Sequence, residues 1–220
     1  MKYSEWEPIY RELCADFGYD PAEDSMSVRV LKAVTMNSDL CDEEAILPLI
    51  KETVTVIGDS PGLEEDLKSH VPEGTILCSG SAVLRLLRAG YKPDIVVTDL
   101  DGNINAQLEA SSEGAVTLIL AHGDNTDLVR TYAPLFTGPV ILTTQGPPEN
   151  TVFNYGGFTD GDRCVCLARE FGARRIVLLG FDFDHPNPKE GSDPAVKLHK
   201  LAWARRIIYS GDASDIIQPE

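Results

Sequence analysis

The chain has 220 residues and a mass of 24.0 kDa, enough for one domain with a sizeable core. Its 19 basic against 35 acidic residues leave a net charge of −16, which excludes general electrostatic binding of nucleic acid or of an anionic membrane. A polyanion such as ATP then needs a local device: a metal ion, a helix N-terminus or a few placed basic side chains. The five cysteines (14, 41, 78, 164 and 166) include no C-x-x-C pair, so reduced thiols are expected rather than disulfides or a zinc cluster. The start, MKYSEWEPIY, is too polar for a signal peptide, and no apolar run approaches the ~20 residues that span a membrane. A soluble, cytoplasmic protein is expected.

Residues 1–50 carry 11 acidic and 4 basic side chains and no strand-like run. Ile9, Tyr10, Leu13 and Phe17 recur at helical intervals and Gly18 closes the pattern; 27–34 and 42–50 read as two further short helices. A helical N-terminal cap over 1–52 is therefore expected. From Thr53 the rhythm changes. Apolar runs at 54–58, 75–78, 94–98, 115–121, 139–144 and 175–180 alternate with helical patterns at 62–69, 81–89, 103–112, 124–136, 160–172 and 194–209. Fully apolar strands separated by helices indicate an α/β domain over 53–220, Rossmann-like, its mainly parallel sheet covered by helices on both faces. The site is expected at the carboxyl ends of the strands.

Polar residues fall at those ends. Gly58, Ser60 and Gly62 follow the first run, and Ser79, Gly80 and Ser81 the second; such turns offer backbone N–H groups to phosphate, or serve only as turns and caps. After the third run stand Asp99 and Asp101, two residues apart and therefore able to face one point. Two hard oxygen donors suit Mg²⁺, with a cap for the following helix as the alternative for Asp101. His122, Asp124 and Asn125 follow the fourth run, and Thr144 and Gln145 the fifth. The stretch N-Y-G-G-F-T-D-G-D-R (154–163) brings Gly157, Thr159, Asp160, Asp162 and Arg163 to the start of a helix, and Asp182 follows the last strand. Lys197 and Lys200 lie on the final helix.

Taken in order, GDSPGL (58–63), YKPDIVVTDLDGN (91–103), AHGDN (121–125), TTQ (143–145), NYGGFTDGDR (154–163) and LLGFDF (178–183) resemble the archaeal 6-hydroxymethyl-7,8-dihydropterin pyrophosphokinase family over roughly 53–209. The segment from Cys78 to Gly102 is also similar to thiamine pyrophosphokinases. Two positions depart from the patterns: Asp59 and Gly62 stand where the first turn would carry Gly and Ser, and Gly80 where thiamine pyrophosphokinases place an acid. The resemblance implies diphosphate transfer from ATP to the pterin alcohol, giving AMP and the pterin diphosphate, with Mg²⁺, in folate-like or methanopterin-type cofactor synthesis. ATP and the pterin alcohol are then the partners, and a homodimer is allowed.

On this reading Asp99 and Asp101 hold Mg²⁺, joined by Asp124 or Asp162 if there is a second ion. Arg163 stabilises the transferring phosphoryl oxygens, with Lys197 or Lys200 as the other basic candidate. Asp124 or Asp182 takes the alcohol's proton, and Phe158, Tyr155 or Phe183 stacks on the pterin. Three rivals use the same residues. A haloacid-dehalogenase phosphatase would make Asp99 a nucleophile, yet two strand patterns precede it and Asn103 follows it. A thiamine pyrophosphokinase would carry a second β-rich domain, for which the tail after Ser210 is too short. A non-enzymatic nucleotide-binding module would not need acids at several strand ends.

Overall fold

The computed structural model describes residues 1–188 and 193–219. Each of the central strands ends where its apolar run meets a glycine (58, 80, 180) or a polar side chain (Asp99, His122, Gln145). The strands are β1 (Thr53–Ile57), β2 (Thr75–Ser79), β3 (Ile95–Thr98), β4 (Val116–Ala121), β5 (Val140–Thr144), β6 (Val152–Phe153), β7 (Arg175–Leu179) and β8 (Ile216–Ile217). They form one sheet in the order β6-β5-β4-β3-β2-β1-β7-β8, and every neighbouring pair is parallel. All carboxyl ends therefore lie along one edge. The chain steps outward from β1 to β6, then returns across the sheet to β7, so the direction of winding reverses between β1 and β7.

Alternation along the strands sends successive side chains to opposite faces. On one face Ile57, Cys78 and Val96 meet Leu63 and Leu67 of α4 (Leu63–Ser69), Val83 and Leu86 of α5 (Val83–Arg88) and Ala106 and Ala110 of α6 (Ile104–Ser112). On the other, Val54, Val56, Leu77, Ile95 and Val97 meet Val165 and Ala168 of α8 (Asp160–Glu170) and Ala204 and Ile208 of α9 (Pro194–Ile208). This is the two-faced parallel α/β architecture that the apolar strand runs predict.

The N-terminal helices are spread over the sheet's helical layers. Trp6, Tyr10 and Leu13 of α1 (Tyr3–Phe17) pack with Cys166, Trp203 and Ile207, and the Trp6 indole N–H donates to the Gln145 carbonyl at 2.8 Å. Val28 and Leu31 of α2 (Pro21–Val34) pack with Val129, Val140 and Leu142. The second helix starts six residues before the expected 27, because Asp20 accepts the Ala22 N–H at 2.9 Å and Pro21 fills the first helical position. A short α3 (Glu43–Ile46) follows, where a helix over 42–50 was expected. The pattern at 124–136 breaks into a 3₁₀ turn at 123–125, α7 (Thr126–Tyr132) and a second 3₁₀ turn at 133–135, where Pro134 removes an N–H donor. The edge strands β6 and β8 are two residues each, too short to leave a period in the sequence.

Candidate active site

A cavity of about 610 Å³ opens over the carboxyl edge of the sheet. Its floor is the turn after β3. There Thr98 Oγ1 accepts the Leu100 N–H at 2.8 Å and Asp99 Oδ1 accepts the Asp101 N–H at 3.1 Å, so consecutive side chains clamp the turn locally. Leu100 takes a φ of 69°, the one left-handed non-glycine among the described residues. That conformation costs ~1–2 kcal/mol. Burial of the leucine side chain against Ile119, Ala121 and Val129 returns about 1.5–3 kcal/mol, so packing wins and holds Asp99 and Asp101 on the cavity side.

Gln107 braces this turn from α6. It is fully buried; its Nε2 donates to the Asp101 carbonyl at 2.6 Å and to the Gly80 carbonyl at 3.1 Å, and its Oε1 accepts the Thr98 hydroxyl at 2.9 Å. One amide thus joins the turns after β2 and β3. Asn125 does the same between β3 and β4, donating to the carbonyls of Asp99 (2.9 Å) and Leu120 (2.7 Å). Its Oδ1 accepts the His122 N–H at 3.0 Å and the Ser27 hydroxyl at 3.3 Å. His122 Nε2 lies 3.8 Å from Asp99 Oδ2.

The start of α8 closes the floor. Asp160 is nearly buried and accepts the Gly80 N–H at 3.3 Å; burial, and next the charges of Asp99 and Asp101, push its carboxyl well above the usual range. Three acids therefore converge where a cation would relieve them. Among the described residues no group of three or more His, Cys, Asp or Glu is arranged to hold a metal ion by itself. The donor set suits an ion that keeps waters and shares phosphate oxygens, as Mg²⁺ does. Ser79, also on the floor, has a buried hydroxyl with no hydrogen-bond partner among the described residues.

Of the residues marked out in the sequence, Gly58, Ser60, Ser79, Ser81, Asp99, Asp101, His122, Asp124, Gln145, Thr159, Asp160, Asp182 and Lys197 line the cavity, as do Phe158, Phe183 and Lys200. The others, Gly62 apart, stand behind its wall. Arg163 is buried, donates to Thr143 Oγ1 at 2.7 Å and lies 3.8 Å from Asp160 Oδ1, so it backs the acids rather than facing the cavity. Asp162 is fully buried and accepts from the N–H groups of Phe158 and Thr159 and from the Thr159 hydroxyl. Expected as a metal ligand, it caps α8 instead. Burial pushes its carboxyl up to about 6 despite those bonds.

Thr144 accepts the Gly146 N–H at 3.1 Å, and Tyr155 packs against Phe153 and Phe171. Gly62 is exposed at the cap of α4. A Cβ on Gly80 would lie 2.3 Å from Thr98 Oγ1, and one on Gly157 2.6 Å from the Arg163 Cα, so both glycines serve close backbone packing. The departure at Asp59 is accounted for too: its Oδ1 pairs with Arg85 Nη1 at 2.8 Å, and its Oδ2 accepts from Asn187 at 3.2 Å.

One wall carries residues that the sequence reading left in the cap. Tyr10, Cys14, Tyr19, Asp20, Glu23 and Asp24 from α1, α2 and their link line the cavity. The Tyr10 hydroxyl donates to Asp24 Oδ2 at 2.6 Å, and Asp24 Oδ1 accepts the Gly123 N–H at 2.7 Å. Gly123 is glycine because α2 comes so close: a Cβ there would lie 2.8 Å from the Glu23 Cβ. Tyr10 sits in an apolar helical stripe and gives no sequence signal for a site. Gln107 does give one, as a polar residue on the buried stripe of α6 with Ala106 and Ala110.

Fold and site together define a doubly wound, parallel α/β protein with an acidic cleft at its strand ends. The sequence model of the family described as 6-hydroxymethylpterin diphosphokinase MptE-like matches residues 32–188. The chain belongs to that family. Three proteins named 6-hydroxymethyl-7,8-dihydropterin pyrophosphokinase are similar along nearly their whole length. That of Pyrococcus furiosus is 40% identical over 94% of this chain and 89% of its own. That of Methanothermobacter thermautotrophicus is 37% identical over 94% of each chain, and that of Methanocaldococcus jannaschii 31% identical over 98% of each. No described helix is long and apolar enough to cross a membrane.

Proposed function

We propose that the protein transfers the diphosphate of ATP to 6-hydroxymethyl-7,8-dihydropterin, releasing AMP. The observation that carries this reading is the convergence of Asp99, Asp101 and Asp160 beneath the start of α8, in a chain similar from end to end to relatives bearing that name. Asp99 and Asp101 are the residues that would hold Mg²⁺, which supplies neutralising charge to the β- and γ-phosphates when bound. The alcohol oxygen attacks the β-phosphorus in line; the bond from that phosphorus to the α,β-bridging oxygen breaks, and AMP leaves with the electron pair. Positioning and charge stabilisation dominate such transfers.

Arg163 acts from behind Asp160, balancing the acids and fixing the start of α8 through Thr143. Asp124, exposed at the cavity edge beside His122, takes the alcohol's proton; Asp182 is the alternative on the opposite wall. Lys197, whose Nζ donates to the Asn187 carbonyl at 2.5 Å, stands where a phosphate oxygen would compete for it. The product would feed folate-like or methanopterin-type cofactor synthesis.

The test is AMP formation from ATP and the pterin alcohol, with thiamine and a phosphomonoester as alternative substrates. The expected result is AMP with the pterin alone, lost on chelation of Mg²⁺ and reduced at least about 100-fold in Asp101→Asn, the cost of losing one preorganised electrostatic group. AMP with thiamine, or phosphate from the monoester without ATP, would replace this reading by one of its rivals.

A further inference from the structure

We infer that the corner of the cavity walled by the N-terminal helices is the pterin subsite, and that Tyr19 is its stacking platform. The inference rests on the activity proposed above and assigns the half of the site that the acids leave unassigned. The corner is a rigid aromatic surface. Phe17 stacks on Tyr19 with ring centroids 5.3 Å apart at 11°, and meets Phe158 at 5.3 Å and 49°. Tyr19 is half-buried and lines the cavity, while Phe158, also in the lining, is almost wholly buried. A flat ring inserted there gains a face without requiring a side chain to move.

The polar groups of the corner are mostly acceptors, with one cation, the Lys200 ammonium, 5.6 Å from the centre of the Phe158 ring. Asp24 is fixed between the Tyr10 hydroxyl and the Gly123 N–H, and Glu23 lies beside it. Gln145 is 6% exposed; its Nε2 donates to the Phe158 carbonyl at 3.3 Å, and its side-chain oxygen, in the cavity wall, accepts no hydrogen bond among the described residues. That oxygen is open to the cavity and can accept from a ligand donor. The two substrates differ in what they offer. A 2-amino-4-oxo-dihydropterin presents a row of N–H donors along its ring edge and no charge. ATP brings four negative charges that Glu23, Asp24 and Asp124 would repel. The opposite end, with Phe183, Leu201 and Lys197, is left for the nucleotide.

The placement also orders the chemistry. Tyr19 lies close enough to Asp124 for that carboxylate, after burial, to raise its hydroxyl pKa. Tyr19, Asp124 and Asp99 line the same cavity, so a pterin stacked on Tyr19 has the proposed base and the acid floor within the space that its hydroxymethyl arm enters.

The experiment measures KM for the pterin alcohol and for ATP separately, with equilibrium binding of the oxidised pterin alcohol followed by its fluorescence without ATP. Tyr19→Ala is expected to raise the pterin KM and weaken pterin binding by about 10-fold, within the range for loss of one aromatic stack, with the ATP KM unchanged. Glu23→Gln, on an exposed side chain, is expected to raise the pterin KM and leave the ATP KM unchanged. A rise in the ATP KM instead, or pterin binding unaltered in both Tyr19→Ala and Glu23→Gln, overturns the assignment. Failure of the proposed activity is distinct: the unsubstituted protein would then make no AMP with the pterin at all.

Discussion

The turn after β1, at 58–62, and the turn after β3, at 99–102, lie on the same edge of the sheet and both contain glycine and aspartate, yet their groups are used differently. In the first, the Gly58 and Ser60 N–H groups donate to the Leu179 and Gly180 carbonyls, and Asp59 is tied to Arg85. Its groups are consumed in joining β1 to β7. In the second, internal bonds from Thr98 and Asp99 and the brace of Gln107 satisfy the backbone, and the carboxylates remain on the cavity side. A strand-end turn becomes a site when its backbone is satisfied locally and from behind, so that carboxylate oxygens are left for the cavity. The place where the winding of the sheet reverses is sealed by two glycines, and the acids gather two strands away.

The largest expected effect tests the brace. Gln107→Leu keeps the bulk of the side chain but strands the Thr98 hydroxyl and the Gly80 and Asp101 carbonyls. Steady-state AMP formation is expected to fall about 100-fold, the scale of a ~1 Å misplacement of a reacting group. Calorimetry should show a stability loss of ~1–3 kcal/mol as well.

The seam after β1 should respond in stability rather than turnover. A Cβ on Gly180 would lie 2.4 Å from the Gly58 carbonyl oxygen, at a φ of 73°. Gly180→Ala is expected to cost ~2–4 kcal/mol from left-handed strain and overpacking. That lowers the melting temperature by several degrees while kcat, measured below the transition, stays near wild type. Gly62→Ala is the control in the same turn: its Cβ meets nothing nearer than Ser60 Oγ at 3.9 Å, and a change within about 0.5 kcal/mol is expected.

The smallest effect concerns the charge clamp on that seam. Hydrogen bonding to Arg85 holds the exposed Glu64 carboxyl down at about 2, against roughly 4.3 in an unfolded chain. Its contribution is complete above pH ~4 and disappears as pH falls through about 2. The difference in melting temperature between wild type and Glu64→Gln should therefore be present at pH 6 and vanish as the pH approaches 2. A difference that persists unchanged at the lowest pH would assign the effect to packing.

The sequence by itself determined the element order from Thr53 onward and the parallel sheet, because fully apolar β-branched runs between helices can be buried only on both faces. It also placed the acids at strand ends and marked Asp99 and Asp101, since residues two apart at a strand end share a direction. Only the tertiary structure decided which of the remaining polar residues meet. Asp160 joins the acids and Asp162 turns away because the start of α8 assigns the second to its own cap. Arg163 and Asn125 support the floor from beneath, and the first two helices, which read as a separate cap, form a wall of the cavity. Local pattern records what a residue can do within its own turn or helix. The partners it finds across the sheet depend on crossovers that bring residues about 100 positions apart, such as Asp24 and Gly123, within one hydrogen bond.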